Sequence, residues 1–185
     1  SSVAFGKDRL YFGCEDGSVV ALDIRGEVKW RFRARRGVTS SPYLDPEEGI
    51  LFIGSMDWNV YALDARSGWA VWRFRSGGPI VSSPTLADGV LFIGSADKNV
   101  YALDTRSGRV KWKYETEGQV TSSPAYANGA VYIGSVDQYV YSLDAETGEL
   151  RWRFKTGGPV PSSPAVENNI VYIGSTDRHV YAIPA

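Results

Sequence analysis

The chain has 185 residues, 43% of them hydrophobic and 13% aromatic, with 20 basic and 21 acidic side chains for a net charge of −1. That content supports a substantial apolar core, and the charge balance gives no general attraction for nucleic acid or an anionic membrane surface. A single cysteine, Cys14, excludes an internal disulfide, a cysteine-based zinc cluster and a Cys-x-x-Cys redox pair, and no apolar run approaches the roughly 18 residues of a membrane span.

A repeat dominates the chain. Gly-Ser recurs at Gly54-Ser55, Gly94-Ser95, Gly134-Ser135 and Gly174-Ser175, 40 residues apart, with an earlier variant at Gly13-Cys14. Ser-Ser-Pro recurs with Pro42, Pro84, Pro124 and Pro164. A fixed period of this length signals a solenoid, a propeller or an array. Ser1-Ser2-Val3 aligns with Ser82-Ser83-Pro84, so the chain opens on the first strand of a repeat. The repeats run approximately over 1–39, 40–79, 80–119, 120–159 and 160–185, in a single domain 1–185. The fifth stops at Pro184-Ala185, without a fourth run or its tryptophan.

The third repeat is the cleanest. Pro84-Thr85-Leu86 stops at Asp88-Gly89; residues 90–94 are apolar and β-branched; residues 100–103 end at Asp104; residues 110–114 alternate apolar with charged. Short β-prone runs separated by Gly, Asp and Asn predict hairpin-linked strands, and no window has a helical apolar stripe. Four antiparallel strands per repeat make one propeller blade. Small residues (Ser82, Ser83, Thr85) suit a first strand crowded at an axis. The two apolar runs suit strands covered on both faces, and the alternating run suits an outer strand whose charges blunt a free edge. The fold expected is an all-β propeller of four complete blades plus a three-stranded fifth, part of a larger ring. The alternative is a closed five-bladed ring. An open arc should self-associate through its end blades, which light scattering would test.

The stretch from Ala102 to Trp112, ALDTRSGRVKW, resembles the tryptophan-docking motif of pyrroloquinoline-quinone-like propeller repeats: Ala, any residue, Asp, two residues, Thr, Gly, three residues, Trp. Ala62 to Trp72 and Ser142 to Trp152 match it with one or two substitutions, and Ala21 to Trp30 with one deletion. The resemblance implies that Trp30, Trp72, Trp112 and Trp152 each pack between adjacent blades. It also raises a quinone-dependent dehydrogenase. That family holds its quinone with calcium, acidic residues and often a disulfide between adjacent cysteines, for which Cys14 alone is not enough. No cofactor or metal is expected. Periplasmic or extracellular placement is implied by the resemblance alone.

The remaining constellations read as structural. Asp16, Asp57, Asp97, Asp137 and Asp177 recur once per repeat, as do Asp23, Asp64, Asp104 and Asp144. That is the wrong pattern for one active site, and Asp favours tight turns by accepting from nearby backbone N–H groups. Calcium would need several oxygen ligands at one point. The serine pairs have no base beside them, and His179, the one histidine, reads as a turn residue. Gly77-Gly78-Pro79 and Gly157-Gly158-Pro159 read as inter-blade turns in which glycine supplies positive φ. Arg31, Arg33, Arg35 and Arg36 form a basic cluster, read either as a solvated outer strand or as a local anion or partner contact.

Variation against the constant frame falls between the second and third strands, at Trp58-Asn59, Lys98-Asn99, Gln138-Tyr139 and Arg178-His179. Loops on a rigid scaffold are where binding usually lives. This face, shared with the loops around Arg35, Gly77, Glu117 and Gly157, is the expected surface for a protein or peptide partner. The function expected is a non-catalytic scaffolding or protein-binding module, comparable to the lipoprotein scaffold of outer-membrane protein assembly or to extracytoplasmic sensor domains. An engineered or amplified array without a ligand is the further alternative.

Overall fold

The computed structural model describes residues 1–185 and contains 19 β-strands and no helix. Its backbone falls into two compact units, Ser1–Pro84 and Thr85–Ala185. The first holds two antiparallel sheets. One is β1 (Ala4–Phe5), β2 (Arg9–Gly13), β3 (Ser18–Asp23) and β4 (Val28–Arg33). The other is β5 (Tyr43–Asp45), β6 (Ile50–Gly54), β7 (Asn59–Asp64) and β8 (Ala70–Arg75). The second unit holds three. These are β9 (Thr85–Ala87) with β10 (Val90–Gly94), β11 (Asn99–Asp104) and β12 (Val110–Glu115); β13 (Ala125–Ala127) with β14 (Ala130–Gly134), β15 (Tyr139–Asp144) and β16 (Leu150–Lys155); and β17 (Ala165–Glu167) with β18 (Ile170–Gly174) and β19 (Val180–Pro184). Every strand pairs with its neighbour in sequence, so each sheet is a simple meander.

Turn chemistry explains the hairpins. Asp88-Gly89 and Asn128-Gly129 both take positive φ (50° and 72°, 51° and 69°), the two-residue turn whose twist matches the flanking strands. The second and third strands of the middle sheets carry the core: β10 and β14 are buried throughout. Between the third and fourth strands the register slips once per complete sheet, after Ala21, Ala62, Ala102 and Ser142. Each of these residues sits opposite the tryptophan of its fourth strand. The resulting bulge turns the outer strand.

The recurring Gly-Ser and Ser-Ser-Pro dictate how one repeat meets the next. A Cβ on Gly94 or Gly134 would stand 2.5 Å from the Val120 or Val160 side chain of the following segment, so only glycine lets that valine sit down. The first serine closes its own repeat: Ser40 and Ser122 hydroxyls accept the N–H of Gly54 and Gly134 at 3.2 Å. The second reaches the preceding repeat. Ser41 Oγ accepts the Ser2 N–H at 2.7 Å, Ser83 Oγ that of Ser41 at 2.8 Å, and Ser163 Oγ that of Ser123 at 3.0 Å. These serines precede the first strand of their repeat instead of lying on it, which corrects the expectation for Ser82 and Ser83. Their hydroxyl oxygens are engaged with backbone N–H groups.

The expected positive φ of the inter-blade glycines is also corrected. Gly77, Gly78, Gly157 and Gly158 are not in the left-handed region. Glycine at 157 and 158 instead admits the next hairpin, since a Cβ there would meet Asp177 Oδ2 and Thr176 Oγ1, each at 2.8 Å.

Candidate functional site

The hairpin joining the second and third strands is built identically in each repeat. Ser55, Ser95, Ser135 and Ser175 carbonyls accept the N–H three residues on, and that donor residue is itself left-handed: Trp58 (φ 76°), Lys98 (75°), Gln138 (77°) and Arg178 (74°). This is the three-residue loop in which a left-handed residue closes a bulge. Gly17 holds the same place in the first repeat, at φ 90°. Side chains with a Cβ pay about 1–2 kcal/mol for this conformation, so the surrounding bonds over-determine it.

The determinant is the aspartate just before. Asp57 Oδ1 accepts the Asn59 N–H (3.1 Å) and side-chain amide (2.9 Å), while Oδ2 accepts the Tyr61 hydroxyl (2.7 Å) and the Arg35 N–H (2.9 Å) from the preceding repeat. Asp137 collects the Tyr139 N–H, the Tyr141 hydroxyl and the Glu117 N–H, at 3.0, 2.7 and 2.9 Å. Asp177 collects those of His179, Tyr181 and Gly157, at 3.0, 2.6 and 2.7 Å. Each carboxylate thus shapes its own turn and latches the loop before it.

The electrostatics follow. Burial works against ionising Asp57, but the Arg35 N–H, the Tyr61 hydroxyl and the Asn59 and Ser55 bonds together hold its carboxyl below the ordinary range. Burial and then Asp57 push the Tyr61 phenol up to about 12, and burial with Asp137 raises Tyr141 in the same sense. The Tyr181 hydroxyl leads the bonds that hold Asp177 at about 2. The phenols thus remain protonated donors, and Asp57 and Asp177 remain charged acceptors, as a latch requires. A tyrosine four residues after each aspartate was the readable signal for this, and the turn reading alone missed it.

The second aspartate series closes the outer turn. Asp64 Oδ1 accepts the Ser67 N–H and hydroxyl at 2.7 and 2.5 Å, and Asp104 those of Ser107 at 2.9 and 2.6 Å. Asp144 accepts the Thr147 N–H at 3.0 Å and pairs with Arg151 at 2.8 Å, which with the Thr147 bond holds it at about 2. These turns receive the indoles. Trp30 Nε1–H donates to Ala65 O (3.0 Å) and Trp112 Nε1–H to Ala145 O (2.9 Å). The rings lie where a Cβ on Gly68 or Gly148 would be 2.6 Å away. Trp30 and Trp112 are buried and Trp72 and Trp152 half-buried.

The expected partner residues divide. Asn59 and Asn99 are buried, their side-chain amides bonded to Asp57 and Asp97, so they brace the turn from within. Lys98, Arg178 and His179 are exposed. Trp58 is exposed beneath the Arg75 guanidinium, 5.1 Å from its ring. Gln138 is half-buried, and Tyr139 is half-buried under Arg153 (4.6 Å) and Lys155 (5.9 Å). The left-handed backbone makes all four tip side chains project from one turn geometry. Replacing Lys98 with glycine is expected to leave the unfolding free energy unchanged or raise it by up to about 1 kcal/mol, relief at the tip outweighing added freedom in the unfolded chain. Urea titration checks it, and a loss would mean the lysine stem contributes contacts of its own. No group of three His, Cys, Asp or Glu side chains converges as a metal site.

Meandering four-stranded sheets in a 40-residue period, with latched tips and docked indoles, define a β-propeller of repeated blades. Two solved structures share this fold. BamB from Moraxella catarrhalis superposes with a TM-score of 0.86 at 22% identity, over 99% of this chain and 57% of that one. The computationally designed protein Ika8 superposes with a TM-score of 0.89 at 17% identity, over 100% of this chain and 58% of that one. Over residues 1–185 the sequence matches the family described as "Beta-alanine-activating enzyme, beta-propeller", and the chain belongs to that family. The outer membrane protein assembly factor BamB of Bordetella pertussis (strain Tohama I) is 33% identical over 67 residues, 36% of this chain. That stretch is 17% of the BamB protein, and the chain spans little more than half of either structure it superposes on.

Proposed function

We propose that this chain is a non-catalytic protein-binding propeller, an assembly factor of the kind the BamB name describes, meeting its partner through the hairpin tips that carry Trp58 in the first unit and Lys98, Gln138, Tyr139, Arg178 and His179 in the second. One observation carries the reading. An unvarying frame of aspartate, tyrosine and backbone holds a varying side chain in the same left-handed pose in four successive repeats. Selection for folding alone would favour glycine there, as at Gly17. The aspartates and tyrosines beneath these tips are committed to latching, which supports binding over chemistry. The indoles act as the tryptophan-docking element of the pyrroloquinoline-quinone-like repeat, and the exposed Val180 and Tyr172 of the last sheet offer an apolar surface for self-association.

The test is capture of partners by the chain and by a variant with Lys98→Glu and Arg178→Glu. Capture should fall with both charges reversed, and unchanged capture would remove this face from consideration. A second reading rests on the family's description, which names an enzyme. There the propeller would be a binding module carried by an enzyme. Whether the full-length protein joins the propeller to a catalytic domain distinguishes the two.

A further inference from the structure

We infer that the cleft lined by Arg35, Asn59, Arg73 and Arg75 is an anion seat that takes the carboxylates of an acidic peptide segment; this deepens the protein-binding reading and rests on it. The cleft lies in the first unit, with a volume of about 150 Å³. Arg73 and Arg75 project from β8, where they pair with Tyr61 and Asn59 of β7. Arg35 comes from the loop after β4, held by its N–H on Asp57. All three arginines are exposed, and none pairs with a carboxylate. The nearby Asp57 is buried, its oxygens taken by Arg35 N–H, Asn59 and Tyr61.

The chain supplies its own control. In the second unit the residue matching Arg35 is Glu117, whose N–H bonds Asp137 as that of Arg35 bonds Asp57. Arg153, the counterpart of Arg73, is neutralised by Glu117 at 3.5 Å and lies over Tyr139. One scaffold thus carries a self-paired seam in one place and three convergent guanidinium groups in another. Like charges gathered without a counter-ion are costly unless a ligand supplies one, and guanidinium forks bind carboxylate in a bidentate manner. A cleft well below the roughly 300–1,000 Å³ of small-molecule pockets takes one terminal group of a larger ligand. Beside it Trp58, under Arg75, offers a flat apolar flank for the adjoining chain.

The test is calorimetric titration of the whole chain at low salt with hexaglutamate, hexaglutamine and inorganic phosphate. Hexaglutamate should bind, more weakly as salt rises, and hexaglutamine should not. Arg35→Glu copies the seam of Glu117 and should fold normally while weakening hexaglutamate roughly tenfold or more. Arg73→Gln, which introduces no new charge, should weaken it in the same direction. Glu117→Arg should create a second binding event. Hexaglutamate affinity unmoved by Arg35→Glu and Arg73→Gln would overturn the site, and phosphate binding without hexaglutamate binding would overturn its occupant. Neither result depends on Lys98 or Arg178, so failure of the capture experiment and failure of this site are separable.

Discussion

Replacing Trp112 with alanine is expected to lower the unfolding free energy by about 3–5 kcal/mol, the range for deleting a buried aromatic side chain. The indole is 8% exposed, lies 5.7 Å from the Phe92 ring, and donates to Ala145 O at 2.9 Å across to the next repeat. Its removal empties a space between two sheets and leaves a carbonyl without its donor. Trp112→Phe keeps much of the ring contact and loses the N–H, so it should cost less, with the hydrogen-bond part about 1 kcal/mol. Gly148→Ala attacks the same contact from the other side. Its φ of 77° is unfavourable for alanine, and the new Cβ would lie 2.6 Å from the indole. It should destabilise by about 2 kcal/mol or more. Urea unfolding followed by circular dichroism measures all three. A Trp112→Ala cost below about 1 kcal/mol would show that the indole is not what joins these repeats.

Asp137→Ala should cost about 2–3 kcal/mol, chiefly because the buried Tyr141 hydroxyl left without an acceptor pays its full desolvation. Three donors lose their partner at once: the Tyr141 hydroxyl, whose side chain is 1% exposed, and the N–H groups of Tyr139 and Glu117. The same substitution made in a Tyr141→Phe chain should cost clearly less, since the phenol no longer needs satisfying. That difference is the coupling between the two side chains. Equal costs in both backgrounds would place the effect in the turn and not in the latch.

The period was legible from Gly-Ser and Ser-Ser-Pro, because each marks a place where backbone meets backbone and only a small residue fits, and the strand order and the three-stranded last repeat were legible from the β-prone runs between them. The turn role of Asp64, Asp104 and Asp144 was legible too, since Asp followed by Ser or Thr three residues on bonds locally. Contacts that cross from one repeat to the next were not. Asn59 and Asn99 stand at variable-looking positions, and nothing in a linear reading says their amides fold inward onto the preceding aspartate. The left-handed tip was hidden because Trp, Lys, Gln and Arg conceal a glycine-type backbone; Gly17 at the matching place was the clue. Arg35 and Glu117 were legible as lying in corresponding inter-repeat loops; that one leaves Arg73 unpaired while the other neutralises Arg153 was not.

The serine hydroxyls that join successive inner segments have a thermodynamic consequence. Ser2 is tied to Ser41 and Ser41 to Ser83, each link reaching one repeat and no further. A chain wired this way behaves as a row of coupled spins: its cohesion grows by a fixed increment for every added member, and damage to one link stays between its two neighbours.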